Sequence, residues 1–256
     1  MPTKLGQNFL TSENIAKNIA ESANITSANV LEVGSGEGFL TKYLADYAKK
    51  ILALEIDINL IKSLDSRFRG NDKIKVIEGD ILKINLPRLI EENNFQNYKV
   101  VANLPYYITS KIIRLFLETK YPPGEMILMV QKEVGERIVA QDAKESILSI
   151  SVKFYAEPEI LFEVGKENFE PVPKVDSVVI RIKRKKNPPK ADTGEFFTLV
   201  RAGFSAKRKM LVNNLLTFGH PRAELLDILK KAGLNPTVRA EKLKAEDWVR
   251  LLKSLD

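Results

Sequence analysis

A glycine-rich turn is the first stretch whose residue types can do chemistry. Positions 33–38 read Val-Gly-Ser-Gly-Glu-Gly, between an apolar stretch and a helical pattern. Glycine lets the backbone turn sharply and approach a ligand closely, and the following helix offers unpaired N–H groups. The stretch fits GxGxG better than GxGxxG and lacks the Lys-Ser/Thr pair of a phosphate-binding loop, so alone it is equally compatible with a tight turn that binds nothing.

Two acids follow the glycine turn at a spacing that strengthens it. Glu55 stands about 20 residues later, at the end of the next apolar stretch, where an acid can accept hydrogen bonds from both hydroxyls of a ribose. Asp80 ends the apolar stretch after that, and its carboxylate can accept from an adenine amino group. Each acid singly is equally a solvated carboxylate, but the ordered set predicts a nucleoside site.

The sequence Asn103-Leu104-Pro105-Tyr106-Tyr107 ends a fourth apolar stretch. The Asn103 side-chain oxygen and the Leu104 carbonyl can accept the two N–H groups of an exocyclic amine, which favours a pyramidal nitrogen and localises its lone pair. Pro105 stiffens the turn, and Tyr106 can stack on a flat base, which is worth about 1–3 kcal/mol. The alternative is a turn that only ends a strand.

The scarce residues exclude several classes of chemistry. The 256 residues include no cysteine and one histidine, which rules out disulfides, thiolate or multi-histidine metal sites and cysteine nucleophiles. We therefore expect no metal centre. The amino terminus lacks the apolar core of a signal peptide, and no apolar run approaches the roughly 20 residues of a membrane span. We expect a cytoplasmic protein that is not bound to a membrane.

The elements that carry these residues alternate between short apolar strands and helical patterns. Strands are predicted over residues 29–34, 50–57, 73–80, 99–103 and 125–130, which indicates an α/β domain with a mostly parallel sheet. The charged stretch 183–190 contains two prolines and predicts a linker. Helices are predicted after it at about 195–216, 222–232 and 245–255. We therefore expect one domain over residues 1–186 and a small helical domain over 187–256.

Taken together, these motifs resemble the S-adenosylmethionine-dependent methyltransferases that modify adenine N6. The similarity is greatest to the ribosomal RNA adenine dimethyltransferases that act near the 3′ end of small-subunit rRNA. Further matching stretches are Leu5–Leu10, Val130–Val134, Phe169–Ser177 and Gly203–Lys209. The resemblance implies a Rossmann-like S-adenosylmethionine-dependent methyltransferase fold with a small all-helical C-terminal domain. It also implies transfer of methyl groups to N6 of two adjacent adenosines during ribosome biogenesis.

The resemblance also implies a role for each matching residue. Around the methyl donor, S-adenosyl-L-methionine, it places Asn8, Leu10, Gly34, Gly36, Glu55, Asp80 and Asn103. Around the target base it places Asn103, Leu104, Pro105, Tyr106 and Phe169. In this arrangement Asn8 and Leu10 close over the donor, while Tyr106 and Phe169 flank the base. Without the family, Phe169 is interpreted as a packed loop aromatic.

The charge of +7 is unevenly distributed along the chain. Residues 1–164 hold 20 basic and 22 acidic side chains, whereas residues 165–256 hold 20 and 11. The excess predicts contacts with RNA phosphates. The residues predicted to make them are Lys174, Arg201, Lys207, Arg208 and Lys209. The expected partner is small-subunit rRNA or a precursor of the small ribosomal subunit, bound by a monomer.

Three alternatives remain open from the sequence. They are a dimethyltransferase of large-subunit rRNA that confers antibiotic resistance, a DNA adenine-N6 methyltransferase, and a mainly non-catalytic ribosome-assembly factor. The form of residues 103–107 and the full stretch 169–177 favour the small-subunit enzyme over the resistance type. The presence of Glu55, Asp80 and Asn103 argues against a purely non-catalytic role.

Overall fold

The computed structural model of the protein describes residues 8–140, 142 and 144–255. The chain forms two compact units. The first comprises Met1–Gly135 with Pro158–Arg184, and the second comprises Glu136–Glu157 with Lys185–Asp256. The predicted domains 1–186 and 187–256 differ from these units chiefly at 136–157. That segment belongs to the second unit because Ile150 and Phe154 are buried in its helical core.

The sheet has the mostly parallel α/β architecture that the sequence predicts. In chain order the strands are β1 (Phe9–Leu10), β2 (Asn29–Val33), β3 (Lys50–Glu55), β4 (Ile74–Glu78), β5 (Tyr98–Asn103), β6 (Glu125–Gln131), β7 (Ala156–Val164), β8 (Phe169–Glu170) and β9 (Ser177–Arg184). Seven of them form one sheet in the order β4-β3-β2-β5-β6-β9-β7, while β1 and β8 form a separate antiparallel pair. Pairing is parallel from β4 to β6 and antiparallel between β6 and β9.

The helices lie between the strands of the first unit and make up most of the second. They are α1 (Glu13–Ser22), α2 (Phe39–Tyr47), α3 (Ile58–Arg67), α4 (Leu86–Glu92), α5 (Thr109–Glu118), α6 (Lys132–Val139), α7 (Ile147–Tyr155), α8 (Thr193–Gly203), α9 (Leu211–Leu215), α10 (Arg222–Lys231) and α11 (Ala245–Leu255). Across the described residues, no helix is both long enough and apolar enough to cross a membrane.

Parallel register brings the candidate residues to one edge of the sheet. Val33 at the end of β2 pairs with Leu54, and Glu55 at the end of β3 pairs with Glu78. Asn103 ends β5 and pairs with Met129 of β6. Because the carboxyl ends of parallel strands share an edge, the glycine turn, Glu55 and the Asn103 turn all emerge there.

The long helix predicted over 195–216 is wrong, because the chain leaves the helix after Gly203. The ring of Phe204 stacks on Trp248 at 5.8 Å between centroids. The Asn214 amide donates to the carbonyls of Gly203 (2.5 Å) and Ala206 (3.1 Å), which satisfies them where the helix ends. Residues 207–209, predicted as a basic helix, therefore lie in a loop between α8 and α9.

The predicted linker also begins too early. Residues 183 and 184 are the last two of β9, and Lys183 pairs with Glu125 across the sheet. A run of cations hides this continuation, because charged residues are not typical of a strand although a strand that contains them can still pair.

Substitution of Gly203 tests how closely the core of the second unit is packed. A Cβ at Gly203 would lie 2.2 Å from Cη2 of Trp248, so Gly203→Ala should lower the free energy of unfolding by about 1–3 kcal/mol through overpacking. Gly124→Ala is the control, since no heavy atom lies within 4 Å of its added Cβ. Urea denaturation followed by circular dichroism measures both, and equal midpoints for the two variants would contradict the packing argument.

Candidate active site

The glycine turn adopts a backbone that side chains rarely allow. Gly34 and Gly36 have φ angles of 73° and 58°, in the left-handed region. The turn is held on the neighbouring strand by the Gly34 N–H, which donates to the Leu54 carbonyl at 2.8 Å. A Cβ on Gly36 would lie 3.3 Å from the Phe9 ring. The turn therefore needs glycine both for its conformation and for the close approach of Phe9.

Glu55 binds the glycine turn with its carboxylate. Its Oε2 accepts from the Gly36 N–H at 2.8 Å, and its Oε1 accepts from Ile56 N (2.7 Å) and Asp57 N (3.0 Å). The side chain is only 1% exposed. A carboxylate offers about four acceptor positions, of which these bonds occupy three. Glu55 lines neither of the two cavities described below, so its contact with a ligand stays a prediction.

Glu32 is a site residue that the sequence reasoning missed. It lies in the middle of β2, is 1% exposed, and accepts a 2.6 Å hydrogen bond from the Thr41 hydroxyl. Burial raises the pKa of Glu32 to about 8; the bond from Thr41 opposes the rise and the negative charge of Glu55 adds to it. The available signal was an acid inside the otherwise apolar stretch 30–33.

The Asn103 turn is fixed by hydrogen bonds at both ends. The Asn103 side-chain nitrogen donates to the Asn8 carbonyl at 3.1 Å, which leaves the amide oxygen as a free acceptor. The Tyr106 hydroxyl shares a 2.9 Å hydrogen bond with Oγ of Ser177, a buried residue that the sequence reasoning did not single out. Partial burial raises the pKa of Tyr106 above its ordinary value, and the bond to Ser177 opposes that rise. Tyr106 is therefore a neutral aromatic held in one place.

Two cavities meet at these residues. The smaller, about 50 Å³, is lined by Asn8, Phe9, Gly34, Gly36, Asn103, Leu104, Pro105 and Tyr106. The larger, about 460 Å³, shares Phe9, Gly34, Gly36 and Asn103 with it and is also lined by Leu10, Thr11, Glu32, Ser35, Glu37, Phe39, Leu40, Arg67 and Glu170. Most residues predicted around the donor and the target base are thus brought together.

Phe169 does not occupy the place that the sequence predicts for it. Its ring is 2% exposed, belongs to the hydrophobic core of the first unit and lines neither cavity. The cause is the pairing of β1 with β8, in which Leu10 lies opposite Phe169. In this conformation Phe169 packs as a core aromatic, and its contact with a base stays a prediction.

Asp80 reaches the correct edge of the sheet but lines neither cavity. The N–H of the preceding Gly79 donates to the Glu55 carbonyl at 2.9 Å, which holds the two strand ends together. The Asp80 carboxylate accepts from Leu82 N at 3.0 Å and lies 3.6 Å from the Lys83 ammonium. Its contact with a ligand stays a prediction.

The cations predicted to bind RNA are all exposed. They are Lys174, Arg201, Lys207, Arg208 and Lys209. None of them forms an ion pair with a described carboxylate. These charges are therefore available to an external polyanion, although nothing in the geometry selects RNA over another one.

The strand order, the antiparallel β9 and the glycine turn at the carboxyl edge define a Rossmann-like methyltransferase. A dimethyladenosine transferase from Plasmodium falciparum is similar over 95% of each chain, with 29% identity and a TM-score of 0.82. The 23S rRNA methyltransferase ErmE is similar over 97% of this chain and 100% of its own, with 30% identity and a TM-score of 0.79. The predicted fold class is confirmed.

The chain belongs to the ribosomal RNA adenine dimethylase family, whose model matches residues 1–256. A protein of Fusobacterium nucleatum called ribosomal RNA small subunit methyltransferase A is 42% identical, over 98% of this chain and 96% of its own length. A protein of the same name from Streptococcus thermophilus is 40% identical, over 98% and 90%. The family predicted from the sequence is therefore confirmed.

The raised pKa of Glu32 makes stability depend on pH in a definite direction. Between about pH 4.5 and pH 8 the folded protein keeps a proton on Glu32 that the unfolded chain releases, so the free energy of unfolding falls as pH rises through this window. At about 1.4 kcal/mol for each pKa unit, the cost is about 3 kcal/mol at pH 7. Glu32→Gln should remove this slope.

Denaturation of wild type and Glu32→Gln at pH 5, 7 and 8.5 measures the effect. The two proteins differ only at position 32, so the difference between their free energies of unfolding reports the effect of the Glu32 proton. This difference should grow in favour of the variant as pH rises. A difference independent of pH would show that Glu32 is not held protonated.

Proposed function

We propose that the protein transfers methyl groups from S-adenosyl-L-methionine to N6 of two adjacent adenosines near the 3′ end of small-subunit rRNA, giving N6,N6-dimethyladenosines during assembly of the small subunit. The observation that carries the proposal is the convergence of the Asn103 amide oxygen, the Leu104 turn and the anchored Tyr106 on a cavity shared with the glycine turn. The relatives named as small-subunit methyltransferases support the choice of substrate.

The larger cavity fits the methyl donor in charge. Three carboxyl groups and one guanidinium line it, from Glu32, Glu37, Glu170 and Arg67. This excess of acids suits a ligand with a sulfonium and an ammonium group, and a cation beside Glu32 would favour its ionised form. When bound, S-adenosyl-L-methionine supplies an electrophilic methyl group.

The donor's ribose would compete with the backbone at Glu55. One acceptor position of the carboxylate is free, so it can take one hydroxyl directly. Acceptance of the second hydroxyl requires one N–H, such as that of Gly36, to be released. Donor binding would therefore exchange an internal hydrogen bond of the turn for one to the ligand.

The acceptor side needs no general base. Oδ1 of Asn103 and the Leu104 carbonyl would accept the two N–H groups of adenine N6, leaving its lone pair directed at the methyl carbon. As the nitrogen–carbon bond forms and the sulfur–carbon bond breaks, the extra proton on nitrogen passes to water. In the second transfer the monomethylated amine has one N–H left to donate, so one of the two acceptors is sufficient.

The target adenine must leave its base stack to reach Asn103. Tyr106, fixed through Ser177, offers a flat surface that replaces part of the lost stacking. Single-stranded or loop RNA is the expected substrate, because its bases leave the stack at lower cost.

Two other substrates are outcomes of the same assay. Similarity to a 23S rRNA methyltransferase keeps large subunits as the second candidate, and duplex DNA is the third. Methyl transfer to immature small subunits, large subunits and duplex DNA should show activity on the small subunit alone. Calorimetry with S-adenosyl-L-methionine should show saturable heat, whereas a purely non-catalytic assembly factor would show none.

Replacement of Asn103 tests the acceptor arrangement. Asn103→Ala should abolish methyl transfer to small subunits while changing the dissociation constant of the donor less than about tenfold, because Glu32, Glu55 and the glycine turn remain. The control is Asn97→Ala, an exposed asparagine before β5, at the opposite end of the strand. Transfer at the wild-type rate by Asn103→Ala would contradict the assigned role.

The basic loop, defined as Lys207–Lys209, is tested by its salt dependence. Replacing its three cations with alanine should weaken RNA binding and lower the slope of log affinity against log salt by about 2, since each phosphate contact contributes about 0.7. Alanine at Lys49, Lys50 and Lys62, three exposed cations elsewhere, changes the net charge equally. Equal slopes for the two triple variants would show that the loop makes no specific phosphate contacts.

A further inference from the structure

Tyr107 is an exposed aromatic side chain beside the candidate active site that the proposed chemistry does not use. It is 65% exposed, more than any other large hydrophobic side chain among the described residues. It directly follows Tyr106 in a single helical turn, Tyr106–Ile108. A single exposed aromatic ring is common on protein surfaces, so its support and its neighbours decide whether Tyr107 has an external contact.

The backbone that carries Tyr107 is held firmly. The Thr109 hydroxyl lies 3.3 Å from the carbonyls of both Pro105 and Tyr106, and Thr109 is only 2% exposed. The preceding residue, Tyr106, is hydrogen-bonded to Ser177. The Tyr107 ring is therefore presented to solvent from a fixed point, which lowers the entropy cost of contact with a ligand.

Two segments that adjoin Tyr106, the start of α5 and the segment that leads to its partner Ser177, carry exposed side chains that suit a nucleic acid strand. Lys111, one helical turn further on in α5, is exposed. The segment that leads to Ser177 presents Val172 and Val175, which are 58% and 44% exposed, on either side of the exposed Lys174. Neither lysine pairs with a carboxylate of the described chain. Aromatic and aliphatic surface interleaved with free cations is typical of single-strand binding surfaces.

We propose that Tyr107 stacks on the base adjacent to the target adenosine while the target occupies the Asn103 cavity. The proposal rests on the proposed function and adds the residue that holds the neighbouring nucleotide. Removal of one base from a stack exposes the face of its neighbour. Tyr106 and Tyr107, with Cα atoms about 3.8 Å apart, would take the two consecutive bases separately.

The test compares protein and RNA changes together. Tyr107→Ala, Tyr107→Phe and a control, Tyr47→Ala, are assayed on small subunits reconstituted with rRNA that carries either adenosine or an abasic site next to the target. Tyr47 is also an exposed tyrosine, at 39%. Stacking predicts that Tyr107→Ala lowers kcat/KM about 5- to 100-fold on the adenosine substrate, with Tyr107→Phe and Tyr47→Ala near wild type.

The abasic substrate separates stacking from a structural role. With no neighbouring base to hold, wild type and Tyr107→Ala should differ less than about twofold, because the lost contact is absent from both. An equal loss on the two substrates, or no loss on either, would overturn the proposal. Wild-type protein inactive on both substrates would instead overturn the proposed function.

Fluorescence gives a direct readout of stacking with the wild-type protein itself. With 2-aminopurine at the neighbouring position, wild-type protein should quench its fluorescence on binding, because stacking on an aromatic ring quenches this base. Tyr107→Leu should leave it bright at saturating protein. A bright signal with wild-type protein would contradict stacking at this position.

Discussion

The hydrogen bond from the Gly36 N–H to the Glu55 carboxylate is the contact on which the candidate site depends. It joins the turn after β2 to the end of β3, and both Gly36 and Glu55 are buried. The left-handed glycines allow the turn to reach the carboxylate, and the carboxylate accepts a hydrogen bond from the Gly36 N–H. The glycine turn and Glu55 hold each other in place, and the turn thereby lines the cavity at this edge of the sheet.

A second buried acid, Glu32, lies at the same edge and is costly to ionise. Glu32 is buried near Glu55, and burial together with the negative charge of Glu55 disfavours its ionisation. Such a pair would be a poor choice for stability alone, since an apolar residue in β2 would avoid the penalty. It becomes intelligible beside a cationic ligand, whose charge would favour the ionised form of Glu32 that the folded protein alone disfavours.

Much of the fold could be predicted from local pattern. The helix 245–255 appears with the predicted bounds, because its apolar periodicity agrees with its packing. The end of α8 at Gly203 could not be predicted from local pattern. It depends on tertiary contacts with Trp248 and with the side chain of Asn214.

The site shows the same division. Gly34, Gly36, Asn103 and Tyr106 were identifiable because their types and spacing carry the chemistry. The burial of Phe169 could not be predicted, since it follows from the pairing of β1 with β8 and not from its neighbours in sequence. Glu32 was overlooked because a single acid in an apolar strand carries no periodic signal, and only its burial reveals it.

The pairing of β1 with β8 also determines when the site can exist. Thr11, next to β1, bonds Asn168 across a sequence separation of 157 residues, and β9 inserts into the sheet beside β6 only after the chain has passed residue 177. Contacts between residues this distant in sequence form late, because closing a long loop costs entropy before the contacts stabilise the chain. During synthesis the glycine turn and the Asn103 turn emerge from the ribosome long before the wall that encloses them. The nascent chain therefore carries an open, incomplete cavity, and its enclosure is one of the last steps of folding.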